Sequence, residues 1–82
     1  MINVKQAVGA AIAYVNDFAD LLPVREVRLE ETEFVEDEDI WLITLSFVDN
    51  PMTGSRSYKV FVIDALNGQI KSMKARSAIS TR

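Results

Sequence analysis

The chain has 82 residues, of which 49 % are apolar, and its formal net charge is −3 at pH 7. This length predicts one small domain over residues 1–82, and the apolar share excludes a disordered composition. The chain has neither Cys nor His, which excludes disulfides, thiol nucleophiles and zinc–thiolate sites and removes the commonest general base near neutral pH. We therefore expect a non-enzymatic protein with no catalytic residues, metal or cofactor.

The first predicted element is a helix over about residues 4–21. Asn3 and Gln6 form a capping-box pattern at its start, and Pro23 ends it by disfavouring the helical conformation of Leu22. Gly9, Ala10 and Ala13 lie on the face predicted to be exposed. The apolar stripe predicted to pack on a sheet consists of Val4, Val8, Ala11, Ile12, Val15, Phe18, Ala19 and Leu22.

Two strands are predicted next, over about residues 24–35 and 40–49. The alternation of the first strand breaks between Glu31 and Phe34, which predicts a β-bulge or a twist there. The second strand is the most β-prone run of the chain, so we expect it in the centre of the sheet. Its Trp41, Ile43, Leu45 and Phe47 share one face, whereas Leu42, Thr44, Ser46 and Val48 share the other.

The last two strands are predicted over about residues 56–64 and 69–78. Ala65–Gly68 between them fits a type I turn followed by a left-handed glycine, which indicates a hairpin. Short loops between successive strands favour an antiparallel meander. We therefore predict an α+β fold, in which one N-terminal helix packs on a four-stranded antiparallel sheet with the first and fourth strands at its edges.

Charge is distributed unevenly along the sequence. Residues 1–50 contain three basic and eleven acidic residues, a net charge of −8, whereas residues 51–82 contain six basic residues and one acid, a net charge of +5. This asymmetry predicts one acidic and one basic sheet edge. The candidate partner-binding residues are Glu30, Glu31, Glu33, Glu36, Asp37, Glu38, Asp39, Lys71, Lys74 and Arg76.

The acidic run Glu36–Asp39 has three interpretations. It can be a solvated turn, or a surface that attracts a basic partner. It can also be a hard-cation site, because Asp37 and Asp39 have the alternate spacing of calcium loops, although the glycine and bidentate glutamate of an EF-hand are missing.

The basic residues Lys59, Lys71, Lys74 and Arg76 are predicted to share one side of the final hairpin. Direct nucleic-acid binding there would require aromatic platforms among them, and Tyr58 is better explained as a strand residue. The acidic isoelectric point of 4.8 also argues against nucleic-acid binding.

The same hairpin resembles the PepSY domain pattern, in which a strand ending in Val-x-Val/Ile-Asp is followed by Asn/Thr-Gly-x-Ile/Val. The residues that carry the resemblance are Tyr58, Val60, Val62, Ile63, Asp64, Asn67, Gly68 and Ile70. It implies a cystatin-like α+β layout and a binding or inhibitory role without catalytic residues. The chain looks most like the small stand-alone bacterial proteins with this layout.

Three functions remain open from the sequence. The first is a regulatory protein-binding module that uses a charged sheet edge or a sheet face, with another protein or a second copy of the chain as partner. The second is a phage-type inhibitory protein, whose acidic segment 30–39 blocks a nucleic-acid-binding partner. The third is a small-ligand carrier with Tyr14 and Trp41 near a pocket between helix and sheet.

The expected location is cytoplasmic. The N-terminal apolar residues are periodic and interrupted by Asn16, Asp17 and Asp20, unlike those of a signal peptide. No run approaches the roughly 18 apolar residues that span a membrane, so no membrane association is expected.

Overall fold

A computed structural model describes residues 1–17 and 25–76. The strands form one antiparallel sheet in the order β1-β2-β3-β4, and the helix packs on one of its faces. The α+β prediction is therefore confirmed, with β2 in the sheet interior and β1 and β4 at the edges. The elements in chain order are α1 (Val4–Asp17), β1 (Arg25–Val35), a 3₁₀ turn (Glu36–Glu38), β2 (Ile40–Asn50), β3 (Ser55–Asp64) and β4 (Ile70–Arg76).

The start of α1 is fixed by reciprocal hydrogen bonds between Asn3 and Gln6. The Gln6 backbone N–H donates to Asn3 Oδ1 at 2.8 Å, and the Asn3 N–H donates to Gln6 Oε1 at 2.9 Å. These bonds satisfy two donors that the first turn otherwise leaves unpaired, so the predicted capping box is confirmed. The predicted end of the helix near Leu21, together with Phe18, Ala19, Leu22 and Pro23, lies outside the described residues.

The buried stripe of α1 is centred on small side chains. Ala7 and Ala11 have no exposed surface and Val15 is 4 % exposed, whereas Val8 and Ile12 are only half-buried. The stripe is therefore rotated toward Ala7, which the periodicity did not include, while Val8 and Ile12 pack against the core at its margin. Alanines at the contact allow the helix backbone to approach the large side chains of the sheet closely, which favours this rotation about the helix axis.

Two other residues of the helix change place with this rotation. Val4 is 39 % exposed, although the periodicity assigns it to the stripe. Ala10, assigned to the exposed face, packs against the core, while Gly9 and Ala13 are exposed as predicted.

The core lies between α1 and the two central strands. Ile43, Leu45, Phe61 and Ile63 are completely buried there. Tyr14 of α1 packs edge-on against Phe61, with ring centroids 5.9 Å apart and an interplanar angle of 80°. Such edge-to-face pairs add to the stabilisation that burial provides, so Tyr14 has a core role.

The irregularity of β1 lies earlier than predicted. The register with β2 shifts between Arg25 and Arg28 and again between Leu29 and Glu31. From Glu31 to Val35 the pairing is regular, so the bulge alternative predicted between Glu31 and Phe34 is wrong. The regular segment holds the side chains of Glu31 and Glu33 on one face of the sheet.

The predicted turn after β3 is confirmed. Gly68 has φ +78°, and its N–H donates to the carbonyl of Asp64 at 2.7 Å. Ile2 joins this end of the sheet, because its N–H donates to the Ala65 carbonyl at 2.7 Å and its own carbonyl accepts from Trp41 Nε1 at 3.2 Å. In residues 1–17 and 25–76, no helix is long and apolar enough to cross a membrane.

Candidate protein-binding surface

The sheet face turned away from α1 carries a strip of apolar side chains. Cross-strand partners project to the same side of a sheet, and the partners here are Leu42 with Val62 and Thr44 with Val60. We call this surface the outer face, and no element of the described residues covers it. Leu42, Val60 and Val62 remain half-buried, while Thr44 is 3 % exposed.

Two level rows of residues cross the outer face from β1 to β4. In one row, the register aligns Glu31, Thr44, Val60 and Lys74. β1 and β4 are separated by three strand spacings, or about 14 Å. The row therefore has a carboxylate at one end, an ammonium group at the other and two uncharged side chains between them. The second row contains Glu33, Leu42, Val62 and Ser72.

A groove of about 160 Å³ lies on the acidic side of the outer face. Pockets for drug-sized ligands usually have volumes of about 300–1,000 Å³, so this groove is too small to enclose such a molecule. Its size suits one or two side chains of a partner protein. The lining residues are Glu31, Glu33, Leu42, Thr44 and Val60.

One end of the outer face is closed by a polar cluster around Arg56. The Arg56 Nε donates to Ser46 Oγ at 3.1 Å, and an Nη donates to the Ser46 carbonyl at 3.3 Å and to the Glu26 carbonyl. Ser46 Oγ in turn donates to a carboxylate oxygen of Glu30 at 2.6 Å. These bonds explain how Ser46 is completely buried on a face that has no helix.

The structure places the predicted acidic residues in two groups. Glu31 and Glu33 lie on the outer face, and Glu30 belongs to the polar cluster at one end of that face through its bond to Ser46. The remaining four belong to the turn after β1.

The acidic turn lies beyond the end of the strands. Glu36, Asp37 and Glu38 are exposed in the 3₁₀ turn, and Asp39 follows in the left-handed conformation with φ +51°. In the part of the chain that the structure describes, no three carboxylates gather closely enough to hold a metal ion. The arrangement of Asp37 and Asp39 therefore gives the hard-cation interpretation no support.

The predicted basic residues are also divided. Lys71 and Lys74 are exposed on the edge strand β4, and Arg76 ends β4 opposite Tyr58. Lys59 pairs with Ala75, whereas Lys74 pairs with Val60, the residue after Lys59. Because neighbouring residues of a strand point to opposite faces, Lys59 and Lys74 lie on opposite faces of the sheet. The prediction that these basic residues share one side is wrong, because consecutive strand residues alternate between faces.

Sequence reasoning missed the apolar residues of the outer face. The sequence does contain a signal for this surface in the second face of the predicted central strand. Leu42 and Val48 on that face are apolar, although a single helix can cover only one side of a sheet. Arg56 and Ser46 have no comparable signal, because their contact depends on the register between β2 and β3.

Trp41, the other residue assigned to a ligand pocket, has partners that explain its position. Its ring centroid lies 4.9 Å from that of Phe34, and its indole N–H is bound to the Ile2 carbonyl. Comparisons with protein-family models, with curated proteins and with solved structures find no match for this chain, so the PepSY resemblance stays a prediction.

Proposed function

We propose that this chain is a non-enzymatic, regulatory protein-binding module that holds its partner against the outer face of its sheet. The observation that carries the proposal is the half-buried strip formed by Leu42, Val60 and Val62, with Glu31 on one side and Lys74 on the other. An apolar centre with a charged rim is the usual composition of a protein–protein interface.

The apolar strip has an energetic reason to bind. Burial of apolar surface stabilises a complex by about 25 cal/mol per Å² before the costs of association are subtracted. Leu42, Val60 and Val62 are held rigidly on central strands, so they lose little conformational freedom when a partner covers them. The charged residues at the two ends of the row determine the orientation in which a partner binds, because they attract opposite charges and repel like ones.

The other two functions have less support. Inhibition by the acidic segment 30–39 needs its carboxylates on one surface, but those of β1 lie on the outer face or in the polar cluster at its end, whereas the 3₁₀ turn lies beyond the strand ends. A ligand carrier needs a cavity, but Ala11, Ile43 and Phe61 are completely buried where the described part of α1 meets the sheet.

The proposal can be tested by affinity capture from the cell of origin. Val62→Lys places a charge in the centre of the outer face, whereas Ala13→Lys places the same charge on the exposed side of α1. We expect the wild type and Ala13→Lys to recover the same partner and Val62→Lys to lose it, with all three folded by circular dichroism. Recovery by Val62→Lys, or loss by Ala13→Lys, would contradict the proposal.

A further inference from the structure

We propose that the partner on the outer face is a second copy of this chain, related by a two-fold axis that runs parallel to the strands. This inference rests on the proposed function, since it names the occupant of the same surface. Its support is the charge pattern of the row that contains Glu31, Thr44, Val60 and Lys74.

The direction of the axis follows from that pattern. Two outer faces can stack by a two-fold rotation about an axis perpendicular to the strands, which places β1 opposite β1 and brings carboxylates together. Rotation about an axis parallel to the strands instead places β1 of each copy opposite β4 of the other. In the row of Glu31 and Lys74, only the second arrangement brings opposite charges together, so the charges of this row favour it.

In the second arrangement, the residues of one row lie opposite the residues of the same row in the other copy. Because Glu31 and Lys74 occupy the same row, the parallel axis places Glu31 opposite Lys74 of the partner subunit. Each dimer then contains this pair twice, once at either side of the interface. In the same row, Thr44 lies opposite Val60 of the partner subunit, so uncharged side chains meet at the centre.

The expected interface is small. Four strands about 4.8 Å apart, each about eight residues long, present about 500 Å² per copy, or about 1,000 Å² in total. That area lies at the lower limit for a specific complex. In the next row, Arg28 lies three residues before Glu31 on β1 and pairs with Ser46, while Arg76 lies at the β4 end opposite Tyr58. The parallel axis places Arg28 opposite Arg76 of the partner subunit, so the complementary contact is confined to the rows of Glu31 and Glu33. We therefore expect a weak dimer that forms as concentration rises.

Charge exchange tests the arrangement in the full chain by sedimentation equilibrium at low salt. Glu31→Lys alone and Lys74→Glu alone each create two like-charge contacts, and each should weaken the dimer by about tenfold. An equimolar mixture of the two variants should dimerise again, because both contacts in the mixed dimer join opposite charges. The double variant should also recover. Glu38→Lys and Lys71→Glu make the same charge changes outside the row and should leave the dissociation constant unchanged.

A second measurement does not depend on variants. Carbodiimide joins a carboxylate to an amine only when they touch, and a mixture of ¹⁴N- and ¹⁵N-labelled wild type distinguishes links between copies from links within one. We expect a mixed-isotope peptide pair that joins Glu31 to Lys74. A dimer that lacks this link and does not respond to the mixed variants would overturn the inference.

The outcomes separate this inference from the proposed function. A chain that stays monomeric at millimolar concentration, but captures a different protein that Val62→Lys loses, would overturn self-pairing and leave the outer face as the binding surface. A monomer that captures no protein would overturn both. A dimer that Val62→Lys leaves intact would show that another surface joins the copies.

Discussion

The guanidinium of Arg56 is joined diagonally across β3 and β2 to Ser46, with Nε donating to Oγ at 3.1 Å. Ser46 has no exposed surface, and the Arg56 side chain is 16 % exposed. An arginine thus completes the hydrogen bonding of a buried hydroxyl on the face opposite the core. The same guanidinium reaches the Glu26 carbonyl, so it also fixes the irregular start of β1.

Arg56→Lys should destabilise the fold almost as much as Arg56→Ala. A lysine offers no planar fork that reaches Ser46 and the Glu26 carbonyl together, and each lost hydrogen bond to a charged group costs about 1.5–3 kcal/mol. Glu26→Gln should change the free energy of unfolding by less than about 1 kcal/mol, because its carboxylate is 71 % exposed and 4.0 Å from Arg56. Urea unfolding measures the free energy of unfolding of the three variants. An equal decrease for Glu26→Gln and Arg56→Lys would contradict this account.

Asn3→Ala should lower the free energy of unfolding by about 1 kcal/mol, because it removes the side chain that accepts from the Gln6 N–H. For a domain of this size, that loss corresponds to a decrease of about 4–8 °C in Tm. Asn16→Ala makes the same substitution at an exposed helix position outside the cap and should leave Tm unchanged or slightly higher. Thermal unfolding followed by circular dichroism compares the two, and an equal decrease for both would exclude the capping explanation.

Two glycine-to-alanine substitutions should have opposite signs. Gly9 lies within α1, and a Cβ added there would meet no atom within 4 Å, so Gly9→Ala should stabilise by about 0.5–1 kcal/mol. Gly68 has φ +78°, and Gly68→Ala should destabilise by about 1–2 kcal/mol because a Cβ disfavours that conformation. Chemical unfolding of the two variants beside the wild type supplies the comparison. A stabilising Gly68→Ala would contradict the turn geometry.

Local patterns predicted most of the fold. The Asn3/Gln6 capping box and the Asn67-Gly68 turn depend on residues close in sequence, so the sequence alone was sufficient to identify them. The central position of β2 followed from its β-prone composition, since such a strand is favoured where neighbours cover both of its sides.

The errors concern features that depend on distant contacts. Ala7 and Ala11 of α1 share a buried cluster with Phe61, which lies fifty residues away from Ala11 in the chain. The bulge near Leu29 coincides with two hydrogen bonds of Ser46, whose hydroxyl donates to Glu30 and accepts from Arg56, and no periodicity within β1 reveals these bonds.

The candidate surface was only partly predictable. The acidic and basic edges followed from charge counts along the sequence. The alignment of Glu31 with Lys74 required three strand registers together, and a shift of one residue in any of them would move one side chain to the other face.

The most direct test of the account is a methyl NMR spectrum of Val- and Leu-labelled protein, recorded with the binding surface free and occupied. Occupancy is achieved by raising the protein concentration or by adding the captured partner. We predict that the methyl signals of Leu42, Val60 and Val62 shift, while those of Val8 and Val15 in α1 stay in place. Shifts at Val8 with none at Val60 or Val62 would contradict the assignment of the outer face as the binding surface.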